Sequence, residues 1–321
     1  MVRARFMFGL MAMTALFFMS GSVLSAEKVR FANHSKSNSY FVLPVLAAME
    51  KGYWKAEGVE VEWRAFGAST TMVRAVAAGA LDMGTLSPVS TILAIARGVP
   101  MIIVADPRIT YGFGVWVLTD SPLKNPRDLK GKAIGVTRFG GSPHRLAKIA
   151  IKNLGIEKDV KFIALGRGAA ATAAFRAKAV DSIARDNLTM APLKAIGEAR
   201  ILVDMRKYAP KASRLVGATI YATKTFLAKK PDTVKKVIKG YMRGGDFIMK
   251  NRKWAVEKLK SQWKFTTAAA NEIYSQLSYG PGSNVRKERL EIAINFIVEQ
   301  GMVAKDEAPT LDSLYAKEFA Q

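Results

Sequence analysis

The stretch LAAMEKGYWKAEGVEVEWRAFGASTTMVRAVAAGALDMG, residues 46–84, decides the fold of this chain. Apolar residues at helical spacing predict a helix that ends near Gly52, and alternating residues at 59–63 predict a strand. A second apolar stripe predicts a helix that ends at Gly79, and residues 81–86 form another extended run. Helices that alternate with strands in this way indicate an α/β fold with parallel strands.

Three segments of the chain are recognisable sequence motifs: AMEKGYWKAEGVEVEW, TTMVRAVAAGALDMG and LKNPRDLKGKAIGV. They resemble the nitrate, sulfonate, taurine and bicarbonate group of ABC-transporter substrate-binding proteins, which are type II periplasmic binding proteins. That superfamily also contains the Thi5-like proteins of pyrimidine-precursor synthesis. The resemblance covers roughly residues 28–250 and is specific for the fold and the transport class, but not for the ligand.

The resemblance implies an α/β, two-lobed type II periplasmic binding protein fold, with mixed, mainly parallel sheets, flanking helices and a hinged ligand cleft. A chain of 321 residues is long enough for two such lobes. We expect lobe one to comprise residues 27–112 plus 218–321 and lobe two to comprise residues 113–217.

The N-terminal residues 1–26 read as a secretory signal peptide. Arg3 and Arg5 precede an apolar stretch at 6–19, and small residues lead to Ala26. An apolar run of about 14 residues is shorter than the roughly 20 that span a bilayer. We therefore expect cleavage after Ala26 and a soluble periplasmic protein, and the absence of cysteine excludes disulfides, a thiolate nucleophile and a lipid anchor on Cys.

The net charge is strongly positive, at +23 for the whole chain. The basic residues are scattered over helical segments, and no helix-turn-helix or RNP-like segment organises them, so we expect no nucleic-acid partner. A solvated basic surface is the plain interpretation. Long-range attraction of an anionic solute is the alternative that the charge permits.

The polar loop after the first strand is a candidate binding site, because ligands of open parallel sheets gather where strands end and helices begin. It offers His34, Ser37, Ser39, Tyr40 and Phe41. The family resemblance places the ligand here. A plain connecting loop with Ser39 as a helix cap is the alternative.

Two further helix starts in lobe one offer hydroxyl groups and free backbone N–H groups. Ser69 or Thr70 can cap the helix that follows FGASTT, and together with Thr71 they form a potential anion seat. Ser87 is a natural cap before Pro88.

The segments that cross between the lobes supply three more candidates. Arg108 and Tyr111 lie near the first crossover, and Arg108 is our candidate for a guanidinium that reaches the cleft, with a surface arginine as the alternative. Tyr221 lies on the extended return segment and is expected to face the cleft.

Lobe two repeats the pattern in the loop TRFGGSPHR. A glycine pair that includes Gly141 lets the backbone approach a ligand, and Ser142 before a proline suggests a cap like that of Ser87. Arg138 and His144 complete the expected group, with a glycine turn and a satisfied cap as the alternative.

Asp186 and Asn187 lie in another loop of lobe two, which by the family resemblance faces the cleft, so both are candidate ligand contacts. An anionic ligand would be repelled by Asp186 unless Arg138 or Arg185 compensates its charge.

Several catalytic classes lack their signatures in this chain. It contains two histidines, neither in an HExxH frame, and no G-x-S-x-G elbow, P-loop or GxGxxG motif follows an expected strand. The chain also has no cysteine, whereas the resemblance associates the Thi5-like enzymes with a cysteine motif. We therefore predict no enzymatic activity, no metal and no cofactor.

We interpret the chain as the periplasmic solute receptor of an ABC importer, a monomer whose partners are a small-molecule ligand and a membrane permease. The expected donors favour a sulfonate, a nitrate-like oxyanion, a carboxylate or a pyrimidine-type heterocycle. The rival interpretations are an enzyme of the same fold and a sensory receptor of a signalling system.

Overall fold

The computed structural model describes residues 27–35, 39–107, 112–166, 168–215, 217–280 and 282–319. The expected signal peptide at 1–26 lies outside these residues. The strands are β1 Glu27–Asn33, β2 Val59–Ala65, β3 Met83–Leu86, β4 Met101–Ala105, β5 Phe113–Leu118, β6 Ala133–Val136, β7 Lys161–Ala164, β8 Ser182–Asp186, β9 Ala199–Asp204 and β10 Thr219–Thr223.

Helices connect and cover these strands. They are α1 Ser39–Glu50, α2 Tyr53–Ala56, α3 Ser69–Ala77, α4 Pro88–Ala96, α5 Ser142–Asn153, α6 Ala169–Arg176, α7 Asn187–Ala195, α8 Met205–Tyr208, α9 Pro210–Ser213, α10 Lys224–Lys229, α11 Pro231–Lys250, α12 Arg252–Trp263, α13 Thr267–Ser275, α14 Lys287–Glu299 and α15 Leu311–Leu314. Three short 3-10 helices lie at Pro126–Leu129, Glu157–Asp159 and Lys317–Phe319.

Sheet one has the strand order β2-β1-β3-β10-β4. Strand β1 pairs in parallel with β2 and β3, whereas β10 is antiparallel to both β3 and β4. Four strands therefore point the same way and only the returning strand β10 is reversed. The opening stretch of the sequence forms the α1–β2–α3–β3 part of this sheet, as its helix and strand periodicity predicts.

Sheet two has the strand order β7-β6-β8-β5-β9. Strand β6 is parallel to β7 and β8, and β5 is antiparallel to β8 and β9. This is the topology of sheet one repeated, again with one reversed strand, which here is the first strand after the chain leaves sheet one. The predicted architecture of mixed, mainly parallel sheets with flanking helices is confirmed.

Each sheet has its own hydrophobic core. The core of sheet one includes Phe31, Phe41 and Tyr241, and the core of sheet two includes Val115, Ile134 and Ile151. Helix α7 joins the two, because its Leu188 and Ala191 belong to the first core although it follows a strand of the second sheet. Its Lys194 Nζ also lies 2.6 Å from Glu272 Oε1 of α13.

A buried charge network ties both crossing segments to α14. Arg289 Nη1 donates to Asp106 Oδ1 at 2.6 Å and to the Ala218 carbonyl at 3.0 Å, and its Nε donates to the Arg214 carbonyl at 2.8 Å. Arg286 also binds the Asp106 carboxylate through Nε and Nη2. One helix therefore fixes the chain where it leaves sheet one and where it returns.

Within the described part of the chain, no helix has the length and apolar character that crossing a bilayer requires.

Candidate functional site

The carboxyl ends of β1 and β3 are cross-linked by one buried amide. Asn33 Nδ2 donates to Thr85 Oγ1 at 2.7 Å and to the Phe41 carbonyl at 3.1 Å, and Asn33 Oδ1 accepts from Trp63 Nε1 at 2.5 Å. The side chain is fully buried, so these bonds satisfy a polar group that would otherwise be costly. Sequence reasoning missed Asn33, because a polar residue at a strand end looks like the start of the next loop.

His34 follows Asn33 and is held as a neutral ring. Its Nδ1 lies 3.2 Å from the Thr85 carbonyl, and the ring packs against Phe41 with centroids 4.7 Å apart. Burial lowers the pKa of His34 to about 4. A carbonyl can only accept, so Nδ1 carries the proton and Nε2 is left as an acceptor. His34 therefore brings no positive charge to this edge at neutral pH.

The first turn of α1 is buried in the core of sheet one. The Tyr40 carbonyl accepts from the Tyr279 hydroxyl at 3.0 Å, and the Phe41 carbonyl accepts from the Tyr241 hydroxyl at 3.2 Å. Tyr40 and Phe41 are fully buried, so their rings belong to the core and are not the accessible ligand contacts that the sequence suggested. Ser39 Oγ, also buried, has no hydrogen-bond partner among the described residues.

The start of α3 differs from the predicted cap. Ala68, in extended conformation, is the N-cap residue, and no side chain caps the helix. Ser69 is the first helical residue and lies half-buried, whereas Thr70 and Thr71 are exposed. The prediction that Ser69 or Thr70 caps α3 is wrong, because the helix begins one residue early. Its first N–H groups thus have no side-chain acceptor in the described structure.

Ser87 caps α4 as predicted. Its Oγ accepts from the Ser90 backbone N–H at 3.2 Å and donates to Ser90 Oγ at 2.9 Å, and Pro88 occupies the first helical position. The hydroxyl of Ser87 is therefore already engaged within its own helix start.

Tyr221 lies in the core and not on an open surface. It is fully buried in a cluster that includes Met72, Leu86 and Met101. Burial raises the pKa of Tyr221, and the nearby carboxylate of Asp82 adds to the effect. Its hydroxyl has no hydrogen-bond partner among the described residues. The expectation that Tyr221 faces the cleft is not met by this packing.

Ser37, Arg108 and Tyr111 lie outside the described residues, so their roles stay predictions.

At the carboxyl end of β6, the loop that leads to α5 is braced from the helix. The Gly140 N–H donates to His144 Nδ1 at 3.0 Å, and Arg145 Nε donates to the Gly140 carbonyl at 2.6 Å. Gly140 has φ +69°, a conformation that favours glycine. Both backbone groups of Gly140 are therefore held by the first turns of α5.

The predicted cap at Ser142 is wrong in the same way as that at Ser69. Gly141 is the N-cap residue of α5 and no side chain caps the helix, while Ser142 is its first residue and is exposed. Gly141 itself is buried, and an added Cβ there would lie 3.1 Å from Arg138 Cγ. The close packing that the glycine pair suggested is present, but against the loop itself.

His144 packs between aromatic rings. Its ring is edge-on to Phe162 at 4.8 Å and to Phe139 at 5.6 Å. Burial lowers the pKa of His144, and the charges of Lys148 and Arg145 lower it further. His34 and His144 thus each bind a backbone group of their own sheet edge, and no cluster of three or more metal-ligating side chains occurs among the described residues.

Two arginines, Arg138 and Arg145, flank this loop and the start of α5. Arg138 is exposed, and neither it nor Arg145 forms an ion pair with a described acidic residue. Arg145 Nη1 is buried with no hydrogen-bond partner in the described structure. Burial and the charge of Arg138 lower the pKa of Arg145. Sequence reasoning missed Arg145, although its place in the first turn of α5 is a usable signal.

A third arginine lies at the same edge of sheet two. Arg185 is buried, and its Nη2 donates to the Gly166 carbonyl at 3.0 Å in the loop after β7. The carboxyl edge of sheet two is therefore rich in guanidinium groups.

The start of α7 joins this edge to the crossing segment. The Asp186 carboxylate caps α7 by accepting from the Thr189 N–H and hydroxyl, each at 2.9 Å. The Asn187 N–H donates to the Gly112 carbonyl at 2.9 Å, and its buried Oδ1 has no partner among the described residues. A Cβ at position 112 would lie 2.0 Å from Asn187 Nδ2, so only glycine fits there. The Asp186 carboxylate is occupied as a helix cap, whereas Asn187 Oδ1 is available to accept a hydrogen bond.

Two surface depressions lie away from these loops. One of about 400 Å³ follows α11 and includes Lys235, Met242 and Phe319, and one of about 420 Å³ includes Asp120 and Lys178. Neither contains a residue that the sequence singles out as a ligand contact.

Comparison with known sequences gives a family match over most of the chain. A profile described as NMT1/THI5 like matches residues 39–255, which confirms the superfamily resemblance. A candidate binding protein of Brucella abortus (strain 2308) is 31% identical over 135 residues, covering 42% of this chain and 41% of that protein. The match thus spans less than half the length of that relative.

Two other similarities are to proteins whose functions differ from each other. The 4-amino-5-hydroxymethyl-2-methylpyrimidine phosphate synthase of Aspergillus parasiticus is 27% identical over 241 residues, covering 70% of this chain and 68% of that protein. The periplasmic aliphatic sulphonate binding protein SsuA of Escherichia coli superposes with a TM-score of 0.76 at 19% identity, covering 92% of this chain and 99% of that one. At that identity the structural likeness establishes the fold alone.

Proposed function

Because the chain belongs to the NMT1/THI5-like family, we propose that it is the periplasmic solute-binding receptor of an ABC importer and that its solute is a small organic or inorganic anion. The proposal includes export through the N-terminal segment 1–26, a monomeric state and delivery of the solute to a membrane permease. Sulfonates, carboxylates, nitrate-like oxyanions and acidic pyrimidine derivatives are the classes to test.

One observation carries the anionic part of the proposal. Arg138 and Arg145 lie together at the start of α5 without a carboxylate partner among the described residues, and the N-terminus of that helix adds a partial positive charge. A buried guanidinium nitrogen without a partner is costly, and an anion would satisfy it.

The position of the crossing segments supports closure around the solute. Both segments that connect the two sheets are anchored on α14 by Asp106 and Arg289, so bending can occur beside a fixed pivot. We propose lobe boundaries at residues 27–112 plus 218–321 and 113–217, since β5 begins at Phe113 and β10 begins at Thr219. Closure would bring the edge with His34 toward the edge with Arg138.

Catalysis by a Thi5-like enzyme is the second candidate, because the Aspergillus relative is a synthase and aligns over most of the chain. The absence of cysteine argues against thiol chemistry here. Incubation of the protein with each ligand that binds, followed by mass spectrometry, separates the two. The receptor proposal predicts unchanged ligand, and any enzyme-dependent product would overturn it.

A thermal-shift screen tests the binding proposal. A ligand that binds only the folded protein at 100 times its Kd adds about 2.7 kcal/mol of stability, which raises the Tm by several degrees. The panel is nitrate, bicarbonate, methanesulfonate, taurine, benzenesulfonate, acetate, benzoate and a pyrimidine phosphate. We expect at least one anion to raise the Tm at constant ionic strength. If no member of the panel does so, the proposed function is contradicted.

A further inference from the structure

The loop that carries Arg138 also carries the most exposed large apolar side chain in the described structure. Phe139 is 62% exposed, ahead of Ile196 at 57% and Met49 at 47%. Single exposed apolar residues are common, so exposure by itself indicates nothing. What distinguishes Phe139 is its place at the carboxyl end of a parallel strand, between braced Gly140 and Arg138, which forms no ion pair with a described residue.

The Phe139 ring is held in position by its surroundings. The next residue, Gly140, is fixed by two hydrogen bonds from α5, at 3.0 Å to His144 Nδ1 and at 2.6 Å from Arg145 Nε. The ring is edge-on to His144 at an interplanar angle of 83°, and His144 is in turn edge-on to Phe162. A ring held in this way loses little freedom when a ligand covers it.

The loop therefore presents cationic and apolar chemistry side by side. Arg138 precedes Phe139, its carbonyl accepts from the Gly141 N–H at 3.3 Å, and Arg145 is close enough for its pKa to respond to Arg138. An inorganic oxyanion would use the guanidinium groups and leave the ring in water. An anion with an aryl or alkyl body would also cover the ring, which removes apolar surface from solvent.

We infer that Phe139 determines solute specificity, so that the site takes an organic anion with a flat or aliphatic apolar body in preference to a small inorganic or one-carbon anion. The inference rests on the proposed function and narrows its solute class.

Titration calorimetry on the full mature chain with two ligand pairs tests this inference. The pairs are benzenesulfonate with methanesulfonate, and benzoate with acetate, so that each head group is kept while the body changes. We expect the aryl member to bind roughly tenfold more tightly or better. Phe139→Ala should remove most of that preference with little effect on the small anions, and Phe139→Leu should keep part of it.

Ile196→Ala is the matched control, because Ile196 is almost as exposed but lies after α7 and away from this loop. It should leave both affinities unchanged, and circular dichroism should show that every variant is folded. Equal binding of aryl and small anions by the unsubstituted protein, or a Phe139→Ala variant that keeps the preference, would overturn the inference and leave the proposed function standing. Failure of all four anions together with the whole thermal-shift panel would overturn the proposed function, and the inference with it.

Discussion

Sheet one and sheet two repeat one strand order, yet the loops at their carboxyl ends differ in what they leave available. At the edge of sheet one, Asn33, Thr85 and Trp63 satisfy one another, and His34 is neutral and bonded to a carbonyl. At the edge of sheet two, Arg138 and Arg145 lack carboxylate partners in the described structure, and Phe139 is exposed.

The difference indicates a division of work between the two edges. The Asn33 cross-link fixes the ends of β1 and β3, so the edge of sheet one contributes shape and a few hydrogen-bonding groups, such as Ser39 Oγ, that have no partner in the described structure. The edge of sheet two contributes charge and selectivity, because Arg138 and Arg145 form no ion pair in the described structure and the Phe139 ring is exposed. We therefore expect the edge of sheet one to form a preorganised side of the binding site and the edge of sheet two to recognise the anion.

The largest effect is expected at the junction of the two sheets. Asp106→Asn leaves Arg289 buried without its counter-ion, which should cost about 3 to 5 kcal/mol of unfolding free energy. Chemical denaturation measures the loss. Asp120→Asn is the control, since it breaks an exposed pair with Lys178 and should leave the midpoint nearly unchanged. Equal effects of the two substitutions would contradict a buried anchor at the crossing segments.

The neutral state of His34 predicts a pH dependence of stability. Its pKa is about 4 in the folded protein and 6.5 when unperturbed, so between these values the unfolded chain binds the extra proton. Unfolding free energy should therefore fall by about 3 kcal/mol as the pH drops from 6.5 to 4. Denaturation curves measured across this range give the slope.

His34→Gln should remove most of that slope, whereas His144→Gln should remove less, because the pKa of His144 is lowered less strongly than that of His34. Asp106 titrates at a lower pH than this range. Burial opposes its ionisation, but Arg286 and Arg289 outweigh this effect and lower its pKa below 3.8. A slope that survives in His34→Gln would show that this ring is not the neutral group described here.

The Asn33 cross-link predicts a loss that is specific to sheet one. Asn33→Ala leaves the buried Trp63 N–H without its acceptor and removes one of the two donors to the Phe41 carbonyl, at a cost of about 2 kcal/mol. Denaturant unfolding of this variant, compared with Asn153→Ala at an exposed amide of α5, isolates the effect of burial. A loss no larger than that of Asn153→Ala would mean that the edge of sheet one is not rigidly self-satisfied.

The smallest expected effects concern the helix caps. Ser87→Ala should cost about 1 kcal/mol because its Oγ accepts from the Ser90 N–H. Ser69→Ala and Ser142→Ala should change stability by less than about 0.5 kcal/mol, since neither side chain caps its helix. Thermal unfolding of the three variants separates them, and a full capping loss at Ser69 or Ser142 would contradict the helix starts described here.

Most of the fold can be predicted from the sequence, because helices and strands each impose a local spacing on the apolar residues. The apolar spacing in residues 46–84 predicts α1, β2, α3 and β3, and the Ser87–Pro88 pair predicts a true cap. The predicted caps at Ser69 and Ser142 are wrong because serine is acceptable both as the N-cap and as the first helical residue. Only the backbone conformation, which the sequence does not show, decides between these two positions.

The site is harder to predict from the sequence than the fold, because its residues depend on contacts with residues that are distant in the chain. Nothing local distinguishes Tyr221 as a core residue, since its neighbours Met72 and Met101 come from other elements. Arg145 is one basic residue among 49 lysines and arginines, and only the folded loop shows that its Nη1 is buried without a partner.

The measurement that tests the account most directly is the affinity of a double variant, Arg138→Gln with Arg145→Gln, for the tightest anion of the thermal-shift panel. Two charge-assisted hydrogen bonds are lost, so we expect affinity to fall roughly a hundredfold. A control variant, Lys152→Gln with Lys161→Gln, removes the same charge from exposed positions of the same sheet unit and should bind like the original chain. Equal affinity of both variants, measured by calorimetry at one ionic strength, would contradict the claim that sheet two recognises the anion.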